Sequence, residues 1–418
     1  FYASESSNEM STYKIRKGDL MIPSAQPRGI LLNVLFEKEA TLADSMTYDI
    51  TAWSLPMAYG LSTMTTNDEI NIATTHEQIK NNLSVSAKPY AYALAWGSVP
   101  ASSLLASLQT HGLIARYALN EFKVNDIRYP RGSILFMRAD NLRHTDFDNT
   151  IHTLANQSVV PVTPITTGFV DEGKDLGSDY YPFVRTPQVL ALAGDGVSSQ
   201  NIGQIWHFFE EELNYPIHII NNDDLSSTNL SPYNIILLPE GFYSLEKDLL
   251  DKLKSWARDG GQLVVFGSGL NKFSGNGFAI TAKNGVKDEK PKEDLAHPES
   301  YESQIRKSIT DDIAGAVYKT KLDPTNPLAF GLGDTYYTLK TSSSAYQWLP
   351  SNGNGIFLEE KPVYYGFTGK KAYEKISKTL VAGREEIGSG GIVYFVDNPM
   401  FRSFWNSGKV LFSNALFF

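Results

Sequence analysis

The stretch Gln262-Leu-Val-Val-Phe-Gly-Ser-Gly269 joins an apolar run to a glycine-bearing turn, and two earlier stretches repeat the pattern. They are Gln188-Val-Leu-Ala-Leu-Ala-Gly194 and Tyr233-Asn-Ile-Ile-Leu-Leu-Pro-Glu-Gly241. Runs that are apolar at successive positions and separated by helical stretches are typical of parallel strands buried on both faces. The pattern predicts an α/β fold with a doubly wound, mostly parallel sheet. In such a sheet, ligands and catalytic groups collect outside the carboxyl ends of the strands.

The composition is that of a globular, acidic chain. Its 418 residues suffice for two or three domains, and the 42% of hydrophobic residues supply apolar side chains for their cores. A net charge of -9 disfavours nucleic acid and anionic membrane surfaces as partners. No stretch approaches the roughly 20 apolar residues of a membrane span. The absence of cysteine excludes thiol catalysis, disulfides and thiolate metal sites.

Three regions are predicted along the chain. Residues 1–75 form an irregular N-terminal segment, residues 76–185 a smaller α/β domain, and residues 186–418 the domain of the doubly wound sheet. A subdomain is expected to be inserted in the last region at about 271–388. Residues 391–396 then return the chain to the same sheet, because their continuous apolar character is typical of a central strand.

The periodicity also predicts individual elements. In the smaller domain, an order β-α-β-β-α-β predicts a sandwich of ferredoxin-like type, with strands at 90–96, 113–119, 133–138 and 159–162 and helices at 98–111 and 145–156. In the large domain, we expect strands at 189–193, 217–220, 234–238, 263–266 and 391–396 and helices at 199–213, 245–258 and 401–417. Residues 271–300 are glycine-rich and then charged, which indicates an exposed excursion.

Ser268 is the first candidate for catalysis. It stands between Gly267 and Gly269 on a predicted strand-to-helix turn, which is the arrangement of a nucleophile elbow. Backbone amides around such a turn stabilise an oxyanion when a base activates the hydroxyl. After the late strand, however, stand Asp397 and Asn398, and neither is an imidazole. Without one, a serine hydroxyl is a poor nucleophile.

Two histidine motifs have simple structural interpretations. His297-Pro298-Glu299 lies in a charged stretch with no apolar strand before it, which favours a solvated loop. His207 and Glu210 share one face of a predicted helix, but zinc needs a third ligand that no recognisable spacing supplies. The sequence therefore favours a partly buried histidine on an amphipathic helix and predicts no metal site.

The turns that end the parallel strands supply candidate ligand-binding residues. The turn Gly194-Asp-Gly-Val-Ser-Ser199 brings glycines and hydroxyls to a helix N-terminus, an environment suited to an anion or a sugar hydroxyl. The candidate ligand-binding residues at the carboxyl edge of the sheet are Asp195, Ser198, Glu240, Gly241, Ser268 and Asn398.

The turn at Gly267-Ser-Gly269 resembles that of the class I glutamine amidotransferase-like fold, whose catalytic cysteine stands on a Gly-x-Cys-x-Gly-like turn. Ser268 takes the place of that cysteine. The family pattern also has a histidine after a late strand, commonly within His-Pro-Glu, and Asp397-Asn398-Pro399 stands at the matching place. The resemblance implies the fold of this class.

Four further stretches resemble the C-terminal part of large bacterial M14-type zinc carboxypeptidase-like proteins. They are Tyr48-Asp-Ile-Thr-Ala-Trp-Ser-Leu-Pro56, Tyr129-Pro-Arg-Gly-Ser-Ile134, Ile205-Trp-His-Phe-Phe209 and Asp397-Asn-Pro-Met-Phe-Arg-Ser-Phe-Trp405. In that family a zinc peptidase domain precedes this region, and the proteins are usually exported. The resemblance implies an N-terminal peptidase domain of the same polypeptide as partner, zinc only in that domain, and no cofactor in this region.

Three functions follow as hypotheses. The leading one is a non-catalytic accessory module of an exported metallopeptidase-like protein, which binds a small molecule, peptide or glycan at the carboxyl edge. The first alternative is a serine-dependent hydrolase in which Asp397 or His207 activates Ser268. The second is an interaction domain whose exposed aromatic side chains pack on the peptidase domain. An imidazole within reach of Ser268 would favour the hydrolase, an open crevice without one the binding module, and a filled crevice the interaction domain.

Overall fold

The structure is a computed structural model that describes residues 15, 19–39, 50–70, 81–83, 88–284, 308–350 and 352–418. The predicted loop at His297 and most of the predicted charged excursion lie outside these residues. Two short helices precede the smaller domain, α1 (Gly29–Phe36) and α2 (Leu55–Ala58).

The smaller domain is a four-stranded antiparallel sheet with two helices. Its elements are β1 (Ala91–Leu94), α3 (Val99–Thr110), β2 (Arg116–Tyr117), β3 (Phe122–Val124), β4 (Ile127–Tyr129), β5 (Ile134–Met137), α4 (Phe147–Gln157) and β6 (Val162–Ile165). The strand order is β2-β5-β1-β6, which confirms the predicted β-α-β-β-α-β sandwich. Strands β3 and β4 form a separate hairpin that has no counterpart among the predicted elements.

The large domain begins with the predicted βαβ rhythm. Its first elements are β7 (Val189–Ala193), α5 (Ser199–His207), a π-helix (Phe208–Leu213), β8 (His218–Asn221), β9 (Ile235–Leu238), α6 (Lys247–Arg258) and β10 (Gln262–Phe266). The later elements are β11 (Ala316–Lys319), β12 (Lys321–Leu322), β13 (Tyr337–Lys340), β14 (Asn354–Phe357), β15 (Tyr364–Tyr365), α7 (Lys370–Ile376), β16 (Leu380–Ile387), β17 (Gly390–Phe395) and α8 (Asn406–Phe417).

Eight strands form the main sheet, in the order β12-β14-β16-β17-β10-β9-β7-β8. The run from β17 to β8 is parallel throughout, and β16 adds to it antiparallel. This mostly parallel sheet confirms the predicted α/β class. The direct pairing of β10 with β17 also confirms that the segments around residues 262 and 391 share one sheet.

The residues between these two segments do not all form a separate body. Strands β12, β14 and β16 extend the main sheet, whereas β13, β11 and β15 form a three-stranded sheet beside it. Strand β13 of this three-stranded sheet ends at Lys340, which contributes to the site described below. The domain boundaries proposed from the sequence stay a prediction.

The central strands β7, β9, β10 and β17 of the main sheet are buried on both faces, as their continuous apolar character predicts. Val264 and Phe266 face one apolar cluster that includes α8, and Leu263 and Val265 face a second cluster that includes α6. Helix α8 is buried along almost its whole length, so it is an interior helix, and its polar residues, among them Lys409 and Asn414, are buried together with its apolar ones. Each large apolar side chain buried in this way contributes about 1.5–3 kcal/mol. Among the described helices, none has the length and apolar character needed to cross a membrane.

Candidate functional site

The carboxyl ends of the parallel strands meet at one edge of the main sheet, and the turns that follow them interlock there. Val197 and Gly241 form an isolated antiparallel bridge. Ser198 N donates to the Glu240 carbonyl at 2.8 Å, and Phe242 N donates to the Gly196 carbonyl at 2.7 Å. The turn after β7 is therefore tied by backbone hydrogen bonds to the turn after β9.

Ser268 ties the turn after β10 to the same place. It is the second residue of a 3-10 helix (Gly267–Lys272). Its Oγ accepts from Gly241 N at 2.9 Å and lies 3.2 Å from the Gly241 carbonyl, to which it donates. The Ser268 hydroxyl thus acts both as acceptor and as donor within the protein, and it connects the turn after β10 to the turn after β9.

Gly267 makes room for the side chain of Glu240. Its φ of +48° lies in the left-handed region, and a Cβ there would come within 2.6 Å of Glu240 Oε1. Because glycine has no Cβ, the Glu240 carboxyl rests against the backbone of the turn. That carboxyl makes no hydrogen bond with any described residue, although the Glu240 backbone N–H donates to Asn201 Oδ1 at 3.0 Å.

Glu240 also has a perturbed pKa. Burial raises the pKa of its carboxyl, and the negative charge of Asp397 raises it further. A carboxyl that is desolvated and next to a second acid keeps its proton to a higher pH than usual. Glu240 is therefore a hydrogen-bond donor over a wider pH range than an exposed glutamate.

Asp397 is engaged by two side chains from β13. Its Oδ1 lies 2.8 Å from Lys340 Nζ, and its Oδ2 accepts from Thr338 Oγ1 at 3.0 Å. The side chains of Lys340 and Asp397 are 1% and 6% exposed. With both carboxylate oxygens bonded, Asp397 is not free to act as a base toward Ser268.

The remaining candidates at the edge also have structural contacts. Asn398 Nδ2 donates to Gln204 Oε1 at 2.6 Å, and Asn398 Oδ1 accepts from Met400 N at 3.0 Å. Ser198 caps α5 by accepting from Asn201 N. Asp195 is exposed, and its backbone carbonyl accepts from Asn222. Asp195 and Glu240 are thus the candidate residues whose carboxyl groups form no hydrogen bond in the described chain.

His207 is not part of this edge. Helix α5 begins at the edge with Ser199, and at 1.5 Å per residue His207 lies about 12 Å further along its axis. The His207 side chain is 49% exposed, and its Nδ1 is 3.8 Å from Glu212 Oε1. The structure therefore places His207 away from Ser268.

The predicted helix over 199–213 also differs in form. It is α-helical to His207 and continues as a π-helix over Phe208–Leu213, so Glu210 follows in a different helical geometry. Glu210 is exposed, and Glu212, not Glu210, lies nearest the imidazole. Within the described ranges, no group of three or more His, Asp or Glu side chains is placed to hold a metal ion.

Three residues of the site, Asn201, Gly267 and Lys340, are not among the catalytic or ligand-binding candidates predicted from the sequence. Asn201 and Gly267 adjoin predicted turns, and a search for polar or glycine residues beside each turn would include them. Lys340 is different, because it belongs to a separate sheet and lies 57 residues before Asp397. No local pattern connects these two positions.

Comparison with known proteins identifies no family for the chain. No family model and no curated protein matches it. Among solved structures, a putative ThuA-like protein from Parabacteroides merdae is similar at 15% identity and a TM-score of 0.33, covering 55% of this chain and 87% of its own. A glutamine amidotransferase from Thermotoga maritima is similar at 11% identity and a TM-score of 0.31, covering 50% and 75%.

A third similar structure is much longer than this chain. A β-galactosidase from Bacillus circulans sp. alkalophilus shares 11% identity at a TM-score of 0.32, and the match covers 54% of this chain but 29% of the enzyme. The chain thus spans less than a third of that protein. The fold class follows from the order and direction of the strands given above, and likenesses at this level add nothing about the site.

Proposed function

We propose that this chain is a non-catalytic accessory module that binds a neutral polar ligand, a peptide or a glycan, at the carboxyl edge of its main sheet. The observation that carries the proposal is the contrast at that edge. The hydroxyl of Ser268 and the carboxylate of Asp397 are bonded within the protein, whereas the Glu240 carboxyl has no hydrogen bond among the described residues. Glu240 is therefore the group that a ligand would engage.

The state of Ser268 supports the absence of catalysis. A serine needs a base within about 3 Å of its hydroxyl, and the Ser268 hydroxyl instead bonds the backbone of Gly241. Two of the seven histidines, His76 and His297, lie outside the described residues. The rings of the other five contact groups elsewhere, namely the Ser107 and His111 carbonyls, Tyr92, Glu212 and Tyr233.

Two neighbours of Glu240 suit a ligand with both polar and apolar parts. Asn201 Nδ2 is buried and has no hydrogen-bond partner among the described residues, which is costly unless a further acceptor is supplied. The Phe242 ring is 87% exposed beside the same turn and offers a flat apolar surface. Because the chain carries a net charge of -9, a neutral ligand suits the site better than an acidic one.

The resemblance to M14-type proteins supports the context we propose for this module. In that context it follows a zinc peptidase domain in the same polypeptide, is exported with it, and positions substrate for it. Helix α1 supports a contact with such a domain, because Ile30, Leu31 and Val34 are 85%, 50% and 44% exposed on an apolar helix. Exposed apolar side chains of this kind mark interaction surfaces.

Binding is tested by calorimetric titration with a panel of neutral oligosaccharides and a panel of uncharged peptides. The expected result is binding to members of one panel, weakened several-fold in Glu240→Gln because a hydrogen bond of the Glu240 carboxyl to a neutral ligand contributes about 0.5–1.5 kcal/mol. Glu246→Gln is the matched control, since Glu246 is an exposed residue with no side-chain cap bond. Binding that Glu240→Gln leaves unchanged would contradict the proposed site.

A further inference from the structure

The ion pair between Lys340 and Asp397 is more deeply buried than the other ion pairs of the described chain. Its side chains are 1% and 6% exposed, compared with 9% and 18% for Lys409 and Glu212. Burial removes the hydration of both charges, and their mutual attraction compensates for that loss only in part. A change that removes both charges together is therefore favoured at this position.

The surroundings of the pair are those of a site closed to water. Tyr318 and Tyr336 are 0% and 2% exposed, and both are close enough to Asp397 for its charge to raise their pKa further, after burial itself. The second carboxyl group is that of Glu240, whose pKa is raised by burial and by the negative charge of Asp397. A primary amine and a carboxylate thus lie together in an apolar environment, and the Glu240 carboxyl is near enough for the charge of Asp397 to act on it.

We infer that Lys340 and Asp397 form an intramolecular isopeptide bond, with Glu240 as the proton-transfer residue. Nζ is 2.8 Å from Asp397 Oδ1. Because a carbon–oxygen bond spans about 1.2 Å, the carboxyl carbon lies within about 4 Å of the amine nitrogen. Rotation of the two side chains is enough to bring the amine nitrogen and the carboxyl carbon to bonding distance.

The reaction is a condensation without a change of oxidation state. The Lys340 ammonium passes one proton to Asp397 Oδ1, and the neutral amine nitrogen forms a bond to Cγ. The charge that develops on Oδ2 is stabilised by Thr338 Oγ1, which lies 3.0 Å away. Glu240 gives its proton to the Oδ1 hydroxyl, which leaves as water, and takes the second proton from the nitrogen. The products are one amide and one water, and Glu240 is restored.

Two features favour the amide over the ion pair here. The amide is neutral, so its burial between the two sheets avoids the desolvation of an ammonium and a carboxylate. The amine and the carboxyl are also held together by the fold, which replaces a collision between separate molecules with a unimolecular step. Neither feature requires a cofactor or a second protein.

The test is the intact mass of the purified, folded chain. We expect a mass lower than that of the sequence by one water, and peptide mapping should recover the peptides of Lys340 and Asp397 as one branched species. Lys340→Arg and Glu240→Gln should have the full mass of their sequences. Asp397→Asn should release ammonia instead of water and yield a product of the same mass as the wild-type product, since the two products are the same molecule.

Lys409→Arg is the matched control, because it changes the other buried lysine pair and should keep the deficit of one water. Wild-type protein that is folded by circular dichroism and has the full mass of its sequence would overturn the inference. So would a deficit that persists in Lys340→Arg, because it would indicate a cyclic imide at Asp397 instead of a cross-link. The readout is independent of ligand binding, so this inference and the proposed function can fail separately.

Discussion

Two shielded aspartates, Asp148 in the smaller domain and Asp397 at the edge of the main sheet, have similar partners arranged in different ways. Asp148 receives two hydrogen bonds from the guanidinium of Arg138, at 2.6 and 3.0 Å, and one from Tyr92 at 2.8 Å. Asp397 receives one from Lys340 and one from Thr338. The first carboxylate is held by a planar fork of donors, and the second by an amine that approaches one oxygen.

The neighbours of the two aspartates differ as well. Burial alone would raise the pKa of Asp148, but the hydrogen bonds from Arg138 and Tyr92 outweigh it and hold that pKa below its usual value. Beside Asp397, by contrast, a second acid has its pKa raised. The comparison teaches that the donors around a carboxylate decide whether its site is inert, as at Asp148, or contains an amine and a proton donor, as at Asp397.

The histidine beside Asp148 belongs to the same network. Tyr92 has a single hydroxyl proton, which it donates to Asp148, so the oxygen must accept from His152 Nε2 at 2.8 Å. His152 therefore carries a proton on Nε2, and its buried Nδ1 has no partner in the part of the chain that the structure describes. Every group in this cluster has one assigned role, which is typical of a structural network.

The largest expected effect is that of Lys340→Met. Removing the amine leaves the Asp397 carboxylate buried without its cation, which costs about 3–5 kcal/mol in the free energy of unfolding. Urea denaturation measures this loss. The double variant Lys340→Met with Asp397→Leu should recover the part of the loss that comes from the unpaired charge, but not the part that comes from the inferred cross-link. A loss below about 1 kcal/mol in the single variant would show that Asp397 is hydrated.

A smaller effect is expected of Arg138→Lys. The charge remains, but one of the two parallel hydrogen bonds to Asp148 is lost, at a cost of about 1.5 kcal/mol. Arg128→Lys is the control, since that guanidinium is 51% exposed and its ion pairs contribute about 0–1 kcal/mol. Equal losses in the two variants would remove the distinction between a buried fork and a surface pair.

Ser268→Ala should cost about 1 kcal/mol, because the hydroxyl joins two turns by hydrogen bonds with Gly241. A fluorophosphonate probe should label neither this variant nor the wild type. Ser244→Ala, at an exposed position, should leave stability unchanged. Labelling of the wild type that disappears in Ser268→Ala would instead support the hydrolase.

The smallest effect is a difference in pH dependence. The lowered pKa of Asp148 means that its contribution to stability is present above its unfolded pKa and is lost as the pH falls through its folded pKa. The raised pKa of Glu240 has the opposite sign, so its contribution is present at low pH and is lost as the pH rises through its folded pKa. Urea midpoints measured across pH test both signs. As the pH falls, the wild type should lose stability relative to Asp148→Asn, and as the pH rises, it should lose stability relative to Glu240→Gln.

Local pattern predicted the strands and helices that are buried along their whole length. The predicted strand at 189–193 matches Val189–Ala193. The predicted strand at 263–266 is one residue shorter than Gln262–Phe266, and the one at 391–396 is shifted by one residue from Gly390–Phe395. A strand buried on both faces must be apolar at every position, so its identity is written in adjacent residues. The hairpin of β3 and β4 was not predicted, because each of its strands has three residues, too few to show an alternation of apolar and polar positions.

By itself, then, the sequence determined the α/β class, the position of the carboxyl edge and the turn residues that collect there. These depend on apolar runs and glycines that are neighbours in the chain. Only the tertiary structure decided the partners of those residues: Gly241 for Ser268, and Lys340 for Asp397. The physical reason is that hydrogen bonds and charges act over a few ångströms in space. A strand of a second sheet can bring a lysine to an aspartate 57 residues away without leaving a local pattern.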